Sequence, residues 1–93
     1  MFVKDPTKDI IEETEVVEDF DFSRDFKMLG LRIAYFRKEK GWTQEELAHR
    51  MNMRTSTIGA IEAPNMNKKI SLTTLFKFSK ILGVPASRLL DFD

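Results

Sequence analysis

The sequence predicts an all-α domain of five short helices, preceded by an irregular acidic N-terminal arm. Three observations carry this expectation. From Ser23 onward apolar residues recur at spacings of three and four, the period of one helix face. Helix start and stop residues punctuate that stretch at close intervals. Residues 1–22 instead scatter apolar pairs among acids with no such period.

The elements follow in order. In the arm, residues 1–22, Ile10, Ile11, Val16, Val17, Phe20 and Phe22 suggest at most short extended pieces, and an isolated hairpin is marginal in water. The first helix starts near Ser23, which is placed to cap it. Phe26, Leu29, Ile33 and Phe36 mark its buried face, and Gly41 stops it after Lys38 and Lys40. Thr43-Gln44-Glu45-Glu46 is a capping box, in which the Thr43 hydroxyl accepts from the Glu46 amide and the Glu46 carboxylate reaches back. Trp42 before the cap and Leu47 four residues after it form a hydrophobic staple. The second helix, 44–51, buries Leu47, Ala48 and Met51 and ends at Asn52, which tolerates the left-handed conformation better than any residue but glycine. A third helix, 55–63, turns Ile58 and Ile61 inward, and Pro64, Asn65 and Asn67 mark a loop. A fourth, 72–82, is capped by Ser71, buries Leu75, Phe78 and Leu82, and stops at Gly83. A last turn or two, 86–90, follows Pro85.

A chain of 93 residues without cysteine builds one modest core and no disulfide framework. Its formal net charge of zero hides an asymmetry. Residues 1–25 hold nine acids against three bases, and the remainder holds twelve bases against six acids. An acidic tail beside a basic domain points to nucleic acid, a membrane surface or self-association. No apolar run approaches the roughly 20 residues of a membrane span, and the N-terminus is acidic where a signal peptide is basic, so a soluble cytoplasmic protein is expected. Enzyme chemistry is not expected. One histidine, His49, no cysteine, no glycine-rich phosphate loop and no metal-ligand spacing leave nothing to catalyse with, and no cofactor or metal is anticipated.

The spacing of the middle segment is more specific. Counted from Gln44, Leu47, Ala48, Met51, Met53, Ile58 and Ile61 occupy positions 4, 5, 8, 10, 15 and 18, with Asn52 at 9. Two helices crossing closely over a tight turn need a small residue at the crossing, a left-handed turn residue and apolar inner faces, which is helix-turn-helix spacing. The stretches LGLRIAYFRKEKGWTQEELAHRMNM, STIGAIEAP and SLTTLFKFSKILGVPASRLL resemble the Cro/Xre-type, phage-repressor-like helix-turn-helix family over about residues 29–90. The resemblance implies a five-helix repressor-like fold over residues 23–93 and a sequence-specific DNA-binding transcriptional regulator, a repressor by expectation, with helix 55–63 in the major groove.

Site residues follow from the same resemblance. Gln44 matches a phosphate-contacting glutamine at a helix N-terminus. Thr55 and Ser56 match the first base-reading positions, and Gly59 and Ala60 match later groove-facing ones. Glycine and alanine cannot hydrogen-bond bases, so direct readout is expected to be thin. Discrimination then leans on Arg54, on Asn65 and Asn67 in the following loop, where phosphate contact is expected, and on DNA deformability. Arg54 stands where the family often has a capping hydroxyl. Either the cap moves to Thr55 or the arginine is kept for a phosphate or base contact, and the second is expected. Lys68 and Lys69 match a region meeting the backbone of the second strand. Arg37 and Glu62 match a structural ion pair, with a free face of Arg37 available to phosphate. Family members commonly pair through the C-terminal region, and Val84, Pro85, Leu89, Leu90 and Phe92 form an apolar set that either serves a homodimer on double-stranded DNA or closes the core over the fourth helix. The alternative is an antitoxin-like interaction module, whose helix-turn-helix serves autoregulation while the acidic arm engages a protein partner.

Overall fold

A computed structural model of the chain describes residues 20–66 and 68–92. Five helices follow one another, α1 Ser23–Glu39, α2 Gln44–Met51, α3 Thr55–Glu62, α4 Leu72–Leu82 and α5 Ala86–Leu89, and no strand occurs among the described residues. Residues 1–19, with the pairs at Ile10 and Val16, lie outside the described residues, as does Asn67. Among the described residues no helix is long and apolar enough to cross a membrane.

One core joins all five helices. Leu29, Ile33 and Phe36 of α1 meet Leu47, Ala48 and Met51 of α2, Ile58 and Ile61 of α3, Leu75, Phe78 and Leu82 of α4, and Leu89 of α5. In α1 to α4 each set lies on one face of its helix, and removing that area from water is the main driving force holding the elements together.

The ends of the helices show which local signals decide. α2 carries the full capping box, with Glu46 N–H donating to Thr43 Oγ1 at 3.0 Å and Thr43 N–H donating to Glu46 Oε1 at 3.0 Å. Asn52 ends α2 in the left-handed region at φ 57°, ψ 46°, and Met53 N–H returns to the Ala48 carbonyl at 2.9 Å. α4 is capped by Ser71, whose hydroxyl accepts from Thr74 N–H at 3.1 Å, and closes on Gly83 at φ 71°. The Lys77 ammonium donates to the Met51 carbonyl, tying α4 to the C-terminal end of α2, where a cation is favoured.

One expectation is corrected and one open choice is decided. Ser23 is not the cap of α1 but its first residue; the Asp21 carboxylate accepts from the Ser23 amide at 2.9 Å and from its hydroxyl at 2.5 Å. A carboxylate both accepts more strongly than a hydroxyl and suits the positive end of a helix. These two bonds hold the Asp21 carboxyl below its ordinary range. Nor do the C-terminal apolar residues form one free patch. Leu89 is buried, Val84 and Phe92 pack half-buried against the core, and only Pro85 and Leu90 are exposed. A four-residue helix buries its single inward residue and brings its neighbours along with it.

One contact has no counterpart in the sequence reading. A Cβ added at Gly30 would lie 2.0 Å from the Ile61 carbonyl oxygen. The α1 backbone therefore touches the α3 backbone directly, and only glycine allows that approach.

Candidate nucleic-acid interface

α2, the turn at Asn52 and α3 form a bihelical unit whose inner faces are buried by Leu47, Ala48, Met51, Ile58 and Ile61. What sets the orientation of α3 in this unit is a buried polar network. The Glu62 carboxylate, at the end of α3, accepts Arg37 Nε at 2.8 Å on Oε2 and Arg37 Nη2 at 2.9 Å on Oε1. Oε1 also accepts Gln44 Nε2 at 3.0 Å, and Arg37 Nη1 donates to the Trp42 carbonyl at 2.7 Å. Arg37 and Glu62 are 8% and 7% exposed. A planar guanidinium matched to a carboxylate on two parallel bonds is the strongest arrangement for such a pair. The Arg37–Glu62 pair thus ties together the last turn of α1, the Trp42 carbonyl ahead of the α2 cap, and Gln44, the first residue of α2.

This geometry redistributes the expected roles. Arg37 has three of its donors committed inside the fold and is buried, so the free phosphate-facing side expected of it is small. Gln44 is half-buried and its side-chain amide is turned toward Glu62, which makes it a strut between α2 and α3 as well as the residue that opens α2. A Cβ at Gly59 would meet Gln44 Oε1 at 3.7 Å, ordinary contact distance, so Gly59 lies beside the start of α2.

The other expected residues lie along one stretch of chain. α3 begins at Thr55, and Arg54 occupies the cap position with extended backbone, φ −74° and ψ 146°, and no side-chain cap. The helix start is not displaced by the arginine. Arg54, Thr55 and Ser56 are exposed, whereas Thr57, Gly59 and Ala60 are half-buried. α3 ends at Glu62 with Ala63 as its cap, one residue earlier than expected. Asn65, Lys68 and Lys69 are exposed in the connection to α4.

The flank of α2 carries a pairing that the sequence reading missed. The Arg50 guanidinium sits 4.1 Å from the centroid of the Trp42 ring, and the Lys40 ammonium sits at 5.8 Å. The signal was a tryptophan just before a capped helix with an arginine two turns along it, which places the cation over the ring. The capping bonds to Thr43 hold the Glu46 carboxyl below its ordinary range. His49 is exposed on α2, and among the described residues no group of three or more histidine and acidic side chains is placed to hold a metal ion.

Known proteins resemble this chain in sequence and fold. A family model described as helix-turn-helix matches residues 33–89. The chain is 39% identical over 64 residues to the HTH-type transcriptional regulator SinR of Bacillus subtilis, covering 69% of this chain and 57% of that protein. It is 36% identical over 63 residues to a hypothetical transcription factor of Neisseria meningitidis, covering 68% of this chain and 58% of that one. The chain therefore spans less than three-fifths of the length of these relatives. In structure it resembles the restriction-modification controller protein C.AhdI of Aeromonas hydrophila, with a TM-score of 0.67 at 27% identity over 75% of this chain and 99% of that one. It also resembles the crystal structure of the hypothetical transcription factor NHTF from Neisseria, with a TM-score of 0.64 at 33% identity over 73% and 77%. The chain belongs to the Cro/Xre-type helix-turn-helix family.

Proposed function

We propose that the protein is a sequence-specific DNA-binding transcriptional regulator acting as a repressor, with the first turn of α3 in the major groove. The observation that supports this most is the contrast within the bihelical unit. Its inner faces and its Arg37–Glu62–Gln44 network are buried, yet the N-terminal turn of α3 leaves Arg54, Thr55 and Ser56 exposed. A helix presented by its N-terminal end, on a rigid support, is what entry into a groove requires. In this reading Thr55 and Ser56 touch base edges. Gly59 and Ala60 let the helix approach closely without hydrogen-bonding, and Arg54 takes a base or a phosphate. Asn65, Asn67, Lys68 and Lys69 meet the backbone, and the start of α2 at Gln44 presents its amide end to a phosphate.

One protomer offers few base contacts, so the reading includes a homodimer binding two half-sites. Leu90 is the large apolar residue of the C-terminal region that stays exposed, at 47%. Titrating the protein onto the DNA upstream of its own coding sequence and onto random duplex DNA, across a salt series, tests the function. Tighter binding to the first, with a log-log salt slope of about −0.9 per phosphate engaged, is expected. Equal weak binding to both would contradict sequence-specific regulation.

A further inference from the structure

The outer face of α1 has no place in the proposed DNA interface, and its side chains form a pattern of their own. Successive residues of a helix point about 100° apart. Gly30 and Arg37 therefore share the side of α1 that meets α3 at Ile61 and Glu62. Leu31 and Tyr35 lie about a third of a turn round from that side and stay 39% and 49% exposed. On one flank of this apolar pair Arg24, Lys27 and Lys38 are exposed as well.

On the other flank two guanidiniums share one ring. Arg32 sits 5.0 Å and Arg88 5.6 Å from the Phe36 centroid, and Arg32 lies 5.4 Å from that of Tyr35. Arg32 Nε and Nη2 both donate to the Arg88 carbonyl at 3.3 Å, which fixes the Arg32 fork at the C-terminal end of α5. Neither guanidinium has a carboxylate within ion-pair distance among the described residues. The acid of the stripe, Glu39, accepts the Tyr35 hydroxyl at 3.0 Å. Cations thus border the two apolar side chains on both sides, and they outnumber the carboxylate between them.

We propose that this face docks an acidic amphipathic helix of a protein partner, whose apolar residues cover Leu31 and Tyr35 while its carboxylates meet the cations on either side. The stripe from Arg24 to Lys38 runs about 21 Å along the axis of α1, which is the length of about four helical turns. Apolar side chains at i and i+4 between rows of charge are what one helix offers another laid along it. The cations decide the chemistry of the occupant. A second copy would set like charges against each other, and a lipid surface needs more apolar area than two side chains provide. A guanidinium fork already held in place, by contrast, accepts a carboxylate on two parallel bonds with little further ordering. Because the face is turned away from α3, partner and DNA are accommodated together.

The test follows the amide resonances of the full chain as a helical peptide of about 18 residues is added, with leucines at intervals of three and four between rows of glutamate. One control peptide has lysine for every glutamate, and another has serine for every leucine. The glutamate–leucine peptide is expected to move the resonances of residues 27–39 and of Arg88, and to bind at least about tenfold tighter than either control. Leu31→Ser/Tyr35→Ser and Lys27→Gln/Arg88→Gln should each weaken it about fivefold or more. Both variants should bind a random-sequence duplex within about twofold of the parent at about 150 mM salt. Equal binding of the glutamate–leucine peptide and either control overturns the proposal. So do shifts confined to residues 54–60, Lys68 and Lys69, which would make the peptide a DNA mimic. A marked loss of duplex binding in Lys27→Gln/Arg88→Gln overturns it too, by giving the face to the DNA backbone. Shifts of residues 27–39 on diluting the chain alone, or with phosphatidylglycerol vesicles and not with peptide, would put a second copy or a membrane in the partner's place.

Discussion

At position 30 the backbones of α1 and α3 lie so close that an alanine methyl would overlap the Ile61 carbonyl. Alanine in a helix interior is ordinarily about 1 kcal/mol better than glycine. Here the neighbour is backbone and cannot turn aside, so overpacking of at least 1–3 kcal/mol outweighs that gain. Gly30→Ala is expected to lower the thermal midpoint by about 5 °C or more, and an unchanged midpoint would contradict the close approach. Arg37→Met removes the partner of a buried carboxylate that also anchors Gln44, and should cost about 3–5 kcal/mol in denaturant unfolding. The double variant Arg37→Met/Glu62→Leu should recover much of that loss. The ion pair was legible in the sequence because both residues match positions of the resembled family. Its extension to Gln44 and the Trp42 carbonyl was not, since such bonds depend on how three elements meet. Gly30 was equally silent, because a glycine in a helical pattern says nothing of what lies opposite it.

Helices are where local chemistry speaks most clearly, and α2 shows why. Its start at Gln44, its capping box and its left-handed stop at Asn52 are each determined by residues within one turn, so they can be read from sequence alone. The box also makes a pH dependence. Because the bonds from Thr43 depress the folded-state Glu46 pKa, their stabilisation is present in full above the ordinary carboxylate range and is lost as pH falls through and below it. The parent should therefore lose more of its midpoint between neutral pH and about pH 3 than Glu46→Gln does, and identical pH profiles would contradict the assignment. α5 shows the opposite case. With four residues it has no period to separate core from surface, and its burial is set by α1 and α4 packing over it, which is why the sequence leaves Leu89 open between a surface patch and the core and the structure places it in the core.

Across the whole molecule, the buried network makes α3 a rigid part of the domain while its first turn stays exposed, and the basic residues follow it into the loop toward α4. The frame was legible because helix-turn-helix geometry constrains residues at fixed spacings. The reading surface was less so, because exposed residues owe their identity to the partner they meet. In the proposed reading Gly59 and Ala60 contribute no side-chain hydrogen bond to bases, and Arg54 is assigned a large share of the contact. Arg54→Gln should weaken DNA binding several-fold and, if the arginine meets a phosphate, make the log-log salt slope shallower by about 0.9, with the melting temperature unchanged. Unaltered affinity would remove Arg54 from the interface. The most direct measurement follows the backbone amide resonances of the full chain as the DNA upstream of its coding sequence is added. The largest changes should fall on the start of α2 at Gln44, on residues 54–60 and on Lys68 and Lys69. Changes confined to the exposed Leu72 and Phe76 face of α4, with α3 unmoved, would show that α3 is not the element that meets DNA.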